Sequence, residues 1–329
     1  MRLLPLLPLA ALVAVAACAD QSTTPSDMSA VRQSPRQVLE QDLVEVAELN
    51  PYGDVLHAGP GINAGAMIYH GGPIVPTMKV AAVYWGTAPI YIGGPAVGTT
   101  GPGTADNSLI GHFLRNLGGS PYYNINTTYT DNVGGGHTVA NTLTYTQYWA
   151  NNTSVPPKTT ARVTNATIRT MLTNGFNSGK LTYDPNTIYA VFTAGKTNLG
   201  GGFGTQYCAY HGKFLINGNV VIYAAMPFDN AYPTGCSTAQ ISPNGDPAAD
   251  REASTLAQEI EEANTDPQLN AWFDAQGQEN ADKCAYTYGT TYSTGNGGVA
   301  NMNLGGKDFL VQQNWVNTPT GAGCNTQYP

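Results

Sequence analysis

The sequence predicts a mixed α/β fold in which helices pack against a mixed β-sheet. Between residues 78 and 195, short runs rich in β-branched and aromatic residues alternate with amphipathic helical segments. Further along the chain, two apolar runs flank Asn217-Gly218, a dipeptide that favours a tight hairpin turn. A final amphipathic helix is predicted within residues 243–267. Strands that first alternate with helices and then pair by a hairpin indicate a mixed sheet.

The individual elements follow from local patterns. We expect a buried strand in MKVAAVYWG (78–86), a helix closed by glycine in NSLIGHFLRNLGG (107–119), a second helix in TNATIRTMLTNGFNSG (164–179) with Thr164 or Asn165 as its N-cap, and a strand in NTIYAVFTAG (186–195). The hairpin joins FGTQYCAYHGKFLI to NVVIYAAMPF. After the acidic helix come a Gly/Asn/Tyr-rich loop at 286–306 and a last strand in KDFLVQQNWVN. No internal repeat is found in the sequence.

The segment PNGDPAADREASTLAQEIEEANTDP (243–267) reads as a turn, one helix and a Thr-Asp-Pro stop. Leu256, Ile260 and Ala263 recur at helical spacing and predict an apolar stripe. A second stripe beside it is acidic and consists of Glu259, Glu262 and Asp266. Asp246 and Asp250 are expected to precede the helix, where acids suit its positive end.

Residues 246–283 hold ten of the 22 acidic residues of the chain and two basic ones. One interpretation is a solvated helix face. The other is a hard-cation site or the remnant of a zinc site, because clustered carboxylates repel one another unless a cation or protons neutralise them. The candidate metal ligands are Glu259, Glu262, Asp266, Asp274, Glu279 and Asp282, with His211 as a candidate imidazole.

The N-terminus resembles an export signal. A short basic start and an apolar run from Leu3 to Val15 end in Val-Ala-Ala-Cys18, which resembles a bacterial lipobox. We expect a signal peptide at 1–17, a lipid-anchored polar tether at 18–67 and a single α/β domain at 68–329. In a Gram-negative cell, Ala19 after the cysteine favours the outer membrane. The alternative is ordinary signal cleavage that leaves Cys18 unmodified.

Composition restricts the function classes. The formal net charge is −8 with 14 Lys and Arg residues, and no basic run exists to neutralise phosphates, so nucleic acid is not an expected partner. Four cysteines remain in the exported chain, and an even number favours disulfides. Four cysteines allow three pairings; we prefer Cys208–Cys236 and Cys284–Cys324 because sequential pairs close the shorter loops.

Several short motifs occur in a characteristic order: Tyr69-His70-x-Gly72-Pro73 before the VAAVYWG strand, Pro243-Asn244-Gly245-Asp246 with Asp250 and Leu256-Ala257, and the late cysteines. Together they resemble the phosphate-induced/EXORDIUM family of secreted proteins. The resemblance covers roughly residues 69–329. It implies a role outside the cell, which in plants is tied to growth and the cell wall, and it implies no established reaction.

The C-terminal half also resembles secreted proteins with a zincin-like Ser-His-Glu-x-x-Glu-x-x-Thr-Asp-Pro motif. Here the motif falls on Glu259, Glu262 and Thr265-Asp266-Pro267, but Gln258 stands where the histidine belongs. Neutral Gln is a poor zinc ligand, and in a His-Glu-x-x-His site the Glu acts on zinc-bound water. A bound cation is therefore expected to be calcium rather than zinc.

Three functional hypotheses follow. The first is a non-catalytic extracellular protein on a zincin-like scaffold, whose acidic site binds a cation. The second is an active metallohydrolase with ligands drawn from elsewhere, such as His211, and with Glu259 as its catalytic residue. The third is a carbohydrate or cell-wall binding surface, in which aromatic rings stack on sugars. The candidate rings are Tyr122, Tyr123, Tyr129, Tyr145, Tyr148 and Trp149.

Overall fold

A computed structural model of the chain describes residues 65–156, 163–199, 204, 207–226, 228–232, 236 and 241–329. The predicted signal peptide, Cys18 and the tether up to residue 64 lie outside the described residues. Met67, at the end of the predicted tether, is buried beside Ile74 and Tyr129. Among the described helices, none is long and apolar enough to cross a membrane.

The described residues form three α-helices and several strands. Seven strands precede the longest helix: β1 (Ile68–Tyr69), β2 (Met78–Trp85), β3 (Thr100–Pro102), β4 (Leu143–Trp149), β5 (Thr187–Thr193), β6 (Tyr210–Ile216) and β7 (Asn219–Met226). The helices are α1 (Leu109–Leu117), α2 (Asn165–Asn177) and α3 (Pro247–Thr265). Short strands follow: β8 (Trp272–Phe273), β9 (Tyr292–Ser293), β10 (Val299–Ala300), β11 (Met302–Leu304), β12 (Lys307–Phe309), β13 (Asn314–Val316) and β14 (Gly323–Asn325).

A six-stranded sheet of order β3-β4-β2-β5-β7-β6 is the centre of the fold. Strands β4, β2, β5 and β7 run parallel, and the two edge strands β3 and β6 are antiparallel to their neighbours. The predicted mixed α/β architecture is confirmed. Buried on both faces, the central strands have the near-continuous apolar sequence of a parallel sheet.

The two faces of the sheet bury two separate cores. Along β2, Val80, Ala82 and Tyr84 face one core and the intervening residues face the other, because successive side chains of a strand alternate. Helices α1 and α3 cover the first face, and α2 covers the second. The side of the sheet that α3 covers is therefore the side on which its acidic stripe meets the strands.

Most predicted elements are confirmed within a few residues. The prediction of a loop at 286–306 is wrong, because this segment contains the short strands β9, β10 and β11, and the short strands β1, β3, β8 and β14 were not predicted. Helix α2 takes its N-cap from Thr164, whose hydroxyl accepts from Thr167. Strand β4 was not predicted. KDFLVQQNWVN is not one strand but two short ones, β12 and β13. Asp250 lies inside the first turn of α3, which begins at Pro247.

The hairpin between β6 and β7 turns at Asn217-Gly218, as predicted. Both residues have positive φ, 51° and 80°, which is the conformation of a two-residue turn that matches the twist of the strands. Ile216 pairs with Asn219 directly across the turn. The turn therefore fixes the register of the edge strand.

Two disulfides link the cysteines in the sequential pairing preferred from the sequence. Cys208 and Cys236 have Cα atoms 5.3 Å apart, and those of Cys284 and Cys324 are 5.5 Å apart. Both separations lie in the usual range for disulfides. The second bond closes a loop around the short strands that follow α3.

A buried aspartate anchors the start of α1. Asp106 is fully buried and accepts hydrogen bonds from the Tyr84 hydroxyl at 2.5 Å and the Tyr145 hydroxyl at 2.8 Å. It also accepts from the hydroxyl of Ser108, the N-cap, which in turn accepts from the Gly111 amide. One carboxylate thus ties the helix to β2 and β4.

We expect Gly111→Ala to destabilise the protein, although alanine is intrinsically favoured over glycine in a helix by about 1 kcal/mol. A Cβ at this position would lie 2.6 Å from both Cγ and the carbonyl oxygen of Asp106. The strain should lower the free energy of unfolding by about 1–3 kcal/mol. Urea denaturation measures this, with exposed Thr170→Ala in α2 as control, expected within about 0.5 kcal/mol of wild type. Equal stability of the two variants would contradict the clash.

Candidate metal centre

Helix α3 is buried on nearly all sides. Every residue from Ala248 to Thr265 is buried except the half-buried Arg251 and Thr255. The predicted apolar stripe packs in the core, and the acidic stripe is equally inaccessible, with Glu259 at 0 % and Glu262 at 1 % exposure. The interpretation of this stripe as a solvated face is therefore wrong, because these carboxylates have no access to bulk water.

Strand β6 presents His211 to the acidic stripe. Its neighbour Tyr210 belongs to the core beneath α2, so alternation turns His211 to the face covered by α3. In register, His211 pairs with Ala224, which belongs to the core on the α3 side. The imidazole is 4 % exposed.

His211 and two glutamates of α3 form a compact cluster. Nδ1 of His211 lies 3.6 Å from Oε2 of Glu259 and 3.8 Å from Oε2 of Glu262. One ligand atom from each of the three residues lies within 4.8 Å of the other two. Glu262 also accepts, through Oε1, the amide hydrogen of Asp282 at 2.9 Å. Helix α3, strand β6 and the loop after α3 thus meet at one point.

The other nitrogen of His211 faces a different set of groups. Nε2 lies 3.4 Å from the main-chain oxygen of Asp266 and 3.6 Å from Oε1 of Glu279. Glu279 comes from the loop after α3, and it is 7 % exposed. The two ring nitrogens therefore contact different acids, Nδ1 the pair Glu259 and Glu262, and Nε2 Glu279.

The remaining candidate acids have local structural contacts. The Asp266 carboxylate accepts from the amides of Asn270 and Ala271, at 2.6 Å each, and so forms the turn after α3. Asp282 accepts from the Glu279 amide at 3.1 Å. Asp274 accepts from Lys283 Nζ at 2.9 Å, away from the histidine cluster. Of the six predicted acids, the structure thus brings Glu259, Glu262 and Glu279 against His211.

The pKa values of His211 and Glu279 in the cluster differ strongly from their usual values. Burial alone would lower the pKa of His211, but the negative charges of Glu279, Glu259 and Asp266 outweigh it and raise the pKa to about 9. Burial raises the pKa of Glu279 well above its usual range, with further increases from Asp266, Asp282 and Glu259 and an opposing effect from His211. Without another cation, protons have to neutralise these groups.

Two further buried acids extend the acidic stripe toward the N-terminus of α3. Glu252 lies seven residues before Glu259 and is fully buried, as is Asp229 from the segment after β7. The Asp229 amide donates to Glu252, and Thr255 donates to the Asp229 carboxylate. Burial, above all, raises the pKa of each carboxyl. Helical spacing predicts the position of Glu252, whereas Asp229 has no comparable sequence signal.

The opposite side of α3 buries Glu261 among amides. Its Oε2 accepts from Asn314 at 2.7 Å, and its main-chain oxygen accepts from Asn126 at 3.0 Å. Burial raises the pKa of Glu261 well above its usual range, against the opposing effect of the Asn314 hydrogen bond. One neutral amide holds this carboxyl through Oε2, and among the described residues Oε1 has no hydrogen-bond partner.

The other residues considered in the sequence do not belong to the cluster. Gln258 is 9 % exposed, and the imidazole of the cluster comes from His211 on β6 instead of from the first position of the motif. Each of the six rings considered for sugar stacking is at most 9 % exposed: Tyr122, Tyr123, Tyr129, Tyr145, Tyr148 and Trp149. The hypothesis that these rings stack on sugars is wrong, because they pack inside the protein.

The fold and the cluster define a class: a mixed α/β protein with a buried histidine–carboxylate centre between a helix and an edge strand. The chain belongs to the phosphate-induced protein 1 family, whose conserved region matches residues 119–313. That region contains His211 and the three glutamates around it. No curated protein and no solved structure matches the chain.

We expect Lys283→Met to lower the free energy of unfolding by about 3–5 kcal/mol, because it leaves the Asp274 charge buried without its partner. Lys283 is 1 % exposed, Asp274 is 2 % exposed, and the ammonium also lies 4.5 Å from the Trp315 ring centroid. The matched control is Lys79→Met, which breaks an ion pair of 2.6 Å with Asp184 whose side chains are 36 % and 31 % exposed. That change should cost less than about 1 kcal/mol. Chemical denaturation of both variants tests the contrast, and equal losses would contradict it.

Proposed function

We propose that this protein binds a divalent metal ion through His211, Glu259 and Glu262, and that the ion has a structural role in an exported, non-catalytic cell-surface protein. The observation that carries the proposal is the separation of the three ligand groups inside a closed, buried site. Binding at this point would join the edge strand β6 to α3.

The separations suit ligands of one ion. Charge-assisted hydrogen bonds are about 2.7–2.9 Å long, whereas the imidazole nitrogen lies 3.6 and 3.8 Å from the two carboxylates. Two ligands at about 2.1 Å from a tetrahedral ion lie about 3.4 Å apart. The imidazole nitrogen therefore lies slightly further from each carboxylate than two ligands of one ion would lie from each other.

The state of Glu259 supports the same conclusion. The side chain is fully buried and lies 3.6 Å from Nδ1 of His211, and among the described residues neither of its oxygens has a partner within hydrogen-bond distance. Leaving a buried carboxylate without such partners costs several kcal/mol, so these groups are normally paired or coordinate a metal. An ion beside Nδ1 of His211 would remove that cost.

The closed geometry favours a structural ion over a hydrolytic one. Catalytic zinc sites keep a coordination position open to water and substrate. Here His211, Glu259 and Glu262 are 4 %, 0 % and 1 % exposed, and the loop bearing Glu279 lies on the other side of the imidazole. Glu259, the candidate catalytic base of the metallohydrolase hypothesis, belongs to the ligand set instead.

Export is part of the proposal and rests on the sequence. The basic start, the apolar run and Cys18 support a lipidated protein at the outer surface of a bacterial membrane. Two disulfides are the usual accompaniment of an oxidising compartment. A cell-wall or carbohydrate partner belongs to the same proposal, by way of the family's association with the cell wall, although the six aromatic rings first considered for it are buried.

Metal content and thermal stability test the site. We expect the full exported chain to contain about one equivalent of a divalent metal by elemental analysis. Chelation with EDTA should lower its Tm by about 10 °C, because an ion that binds only the folded state stabilises it by mass action. Glu259→Gln should lose the metal and the response to EDTA while keeping the volume of the side chain.

The matched control is His137→Gln, which removes a histidine whose side chain is 44 % exposed and pairs with Asp131 at 2.9 Å. It should retain the metal and the response to EDTA. Wild-type protein that binds neither zinc nor calcium, with a Tm indifferent to EDTA, would refute the site. Peptide cleavage by the metal-loaded protein would favour the hydrolase hypothesis instead.

Lipid anchoring is tested separately. We expect the wild-type chain to fractionate with membranes and to incorporate radiolabelled palmitate, and Cys18→Ser to do neither, because acylation requires the thiol at this position. Cys208→Ser with Cys236→Ser is the control, since those cysteines pair with each other and should not affect labelling. Palmitate incorporation by Cys18→Ser would contradict the anchor.

A further inference from the structure

We infer that the centre holds its ion on Nδ1 of His211 and selects a zinc-class transition metal over calcium, with Glu279 as the residue that positions the imidazole. This inference rests on the proposed metal site and specifies its ligand. It follows from the different surroundings of the two ring nitrogens.

The first step concerns the tautomer of His211. Nε2 lies 3.4 Å from the main-chain oxygen of Asp266, which can only accept a hydrogen bond. Nε2 must therefore carry a hydrogen for this contact to be favourable. In the neutral ring, the lone pair is then on Nδ1, the nitrogen that faces Glu259 and Glu262.

The second step concerns Glu279. Its Oε1 lies 3.6 Å from Nε2, and Glu279 is not among the three residues whose ligand atoms lie within 4.8 Å of one another, so we assign it no bond to an ion at Nδ1. A carboxylate behind the free nitrogen of a metal-bound histidine fixes the orientation of the ring and increases its basicity. Oε1 of Glu279 lies beyond hydrogen-bond distance and has no other partner among the described residues, so a small shift toward Nε2 would let Glu279 act on the metal through His211.

The third step explains how Glu279 is held there. Asp282 accepts from the Glu279 amide, and the Asp282 amide donates to Oε1 of the ligand Glu262. Two residues further on, Cys284 is bonded to Cys324. The loop is thus held by a hydrogen bond to the ligand Glu262 and by a disulfide close to Glu279, the residue that orients His211.

The donor set then determines the class of metal. Calcium takes six to eight oxygen ligands at about 2.3–2.6 Å, whereas imidazole with carboxylates suits zinc and other transition metals. A nitrogen with its lone pair held toward two carboxylates matches the second class. The structure thus favours zinc, where the sequence without an imidazole at position 258 favoured calcium.

Metal competition is the first measurement. Isothermal titration of the metal-free full chain with Zn²⁺, Co²⁺ and Ca²⁺ should give at least about 100-fold tighter binding of Zn²⁺ than of Ca²⁺. Calcium binding of equal or higher affinity would overturn the inference and leave the metal site itself intact. Absence of binding by all three ions would instead refute the proposed function.

The positioning role of Glu279 is tested by Glu279→Gln. Its Zn²⁺ affinity should fall about 10–100-fold, while the visible absorption spectrum of the Co²⁺ form keeps its shape because the ligands are unchanged. Asp184→Asn, which alters an acid of a surface ion pair, is the control and should change neither property. A changed Co²⁺ spectrum would identify Glu279 as a ligand, and an unchanged affinity would remove its positioning role.

Nitrogen NMR of the unmodified protein gives an answer that does not depend on a variant folding. Long-range ¹H–¹⁵N correlation of the zinc-loaded chain should show His211 protonated at Nε2 and metal-bound at Nδ1. The His211 signals are identified among the five histidines by their absence in His211→Gln. Coordination through Nε2 would overturn the inference.

Discussion

The architecture depends on how neighbouring elements offset the free-energy cost of burying the carboxyl groups of helix α3. Helix α3 lies in the interior, yet it carries Glu252, Glu259, Glu261 and Glu262 at 0–1 % exposure. A helix buried on all sides is normally apolar all round, so each carboxyl here requires compensation from another element. The edge strand supplies an imidazole, β13 supplies the Asn314 amide, and the loop after α3 supplies main-chain amides. The C-terminal strands and loops thus supply donors to Glu261 and Glu262, whereas β6 places His211 beside Glu259 and the Asp229 amide donates to Glu252.

The sequence predicted those elements whose patterns are local. Strands β2 and β5, the three helices and the hairpin turn follow from apolar runs, caps and Asn217-Gly218, which act over a few residues. Strand β4 was missed for a physical reason. Its pairing with β2 shifts between Val80 and Ala81, so Tyr145 and Tyr148 face the same core although they are three residues apart. A bulge breaks the period of two on which strand prediction relies.

The candidate site, too, could be predicted from the sequence only where it depends on local patterns. The spacing of Glu259 and Glu262 is a property of one helix, so the sequence placed them on one face. The role of His211 depends on the register of an edge strand 48 residues earlier, and no local pattern encodes that distance. Likewise, the run of acids in the sequence did not distinguish Glu279, which lies beside the histidine, from Asp274, which pairs with Lys283. The conformation of the loop after α3 determines which of these two acids lies beside His211.

The bond between Cys284 and Cys324 has a consequence for the lifetime of the protein outside a cell. It encloses the surface turns around residues 289–293, which are exposed. A protease that cut there would produce two fragments still joined covalently through the disulfide. The segment with Asn314, and with it the amide that holds Glu261, would stay attached to the body of the protein. Cleavage of this exposed loop thus does not release the interior donors, and a nicked chain keeps its parts together.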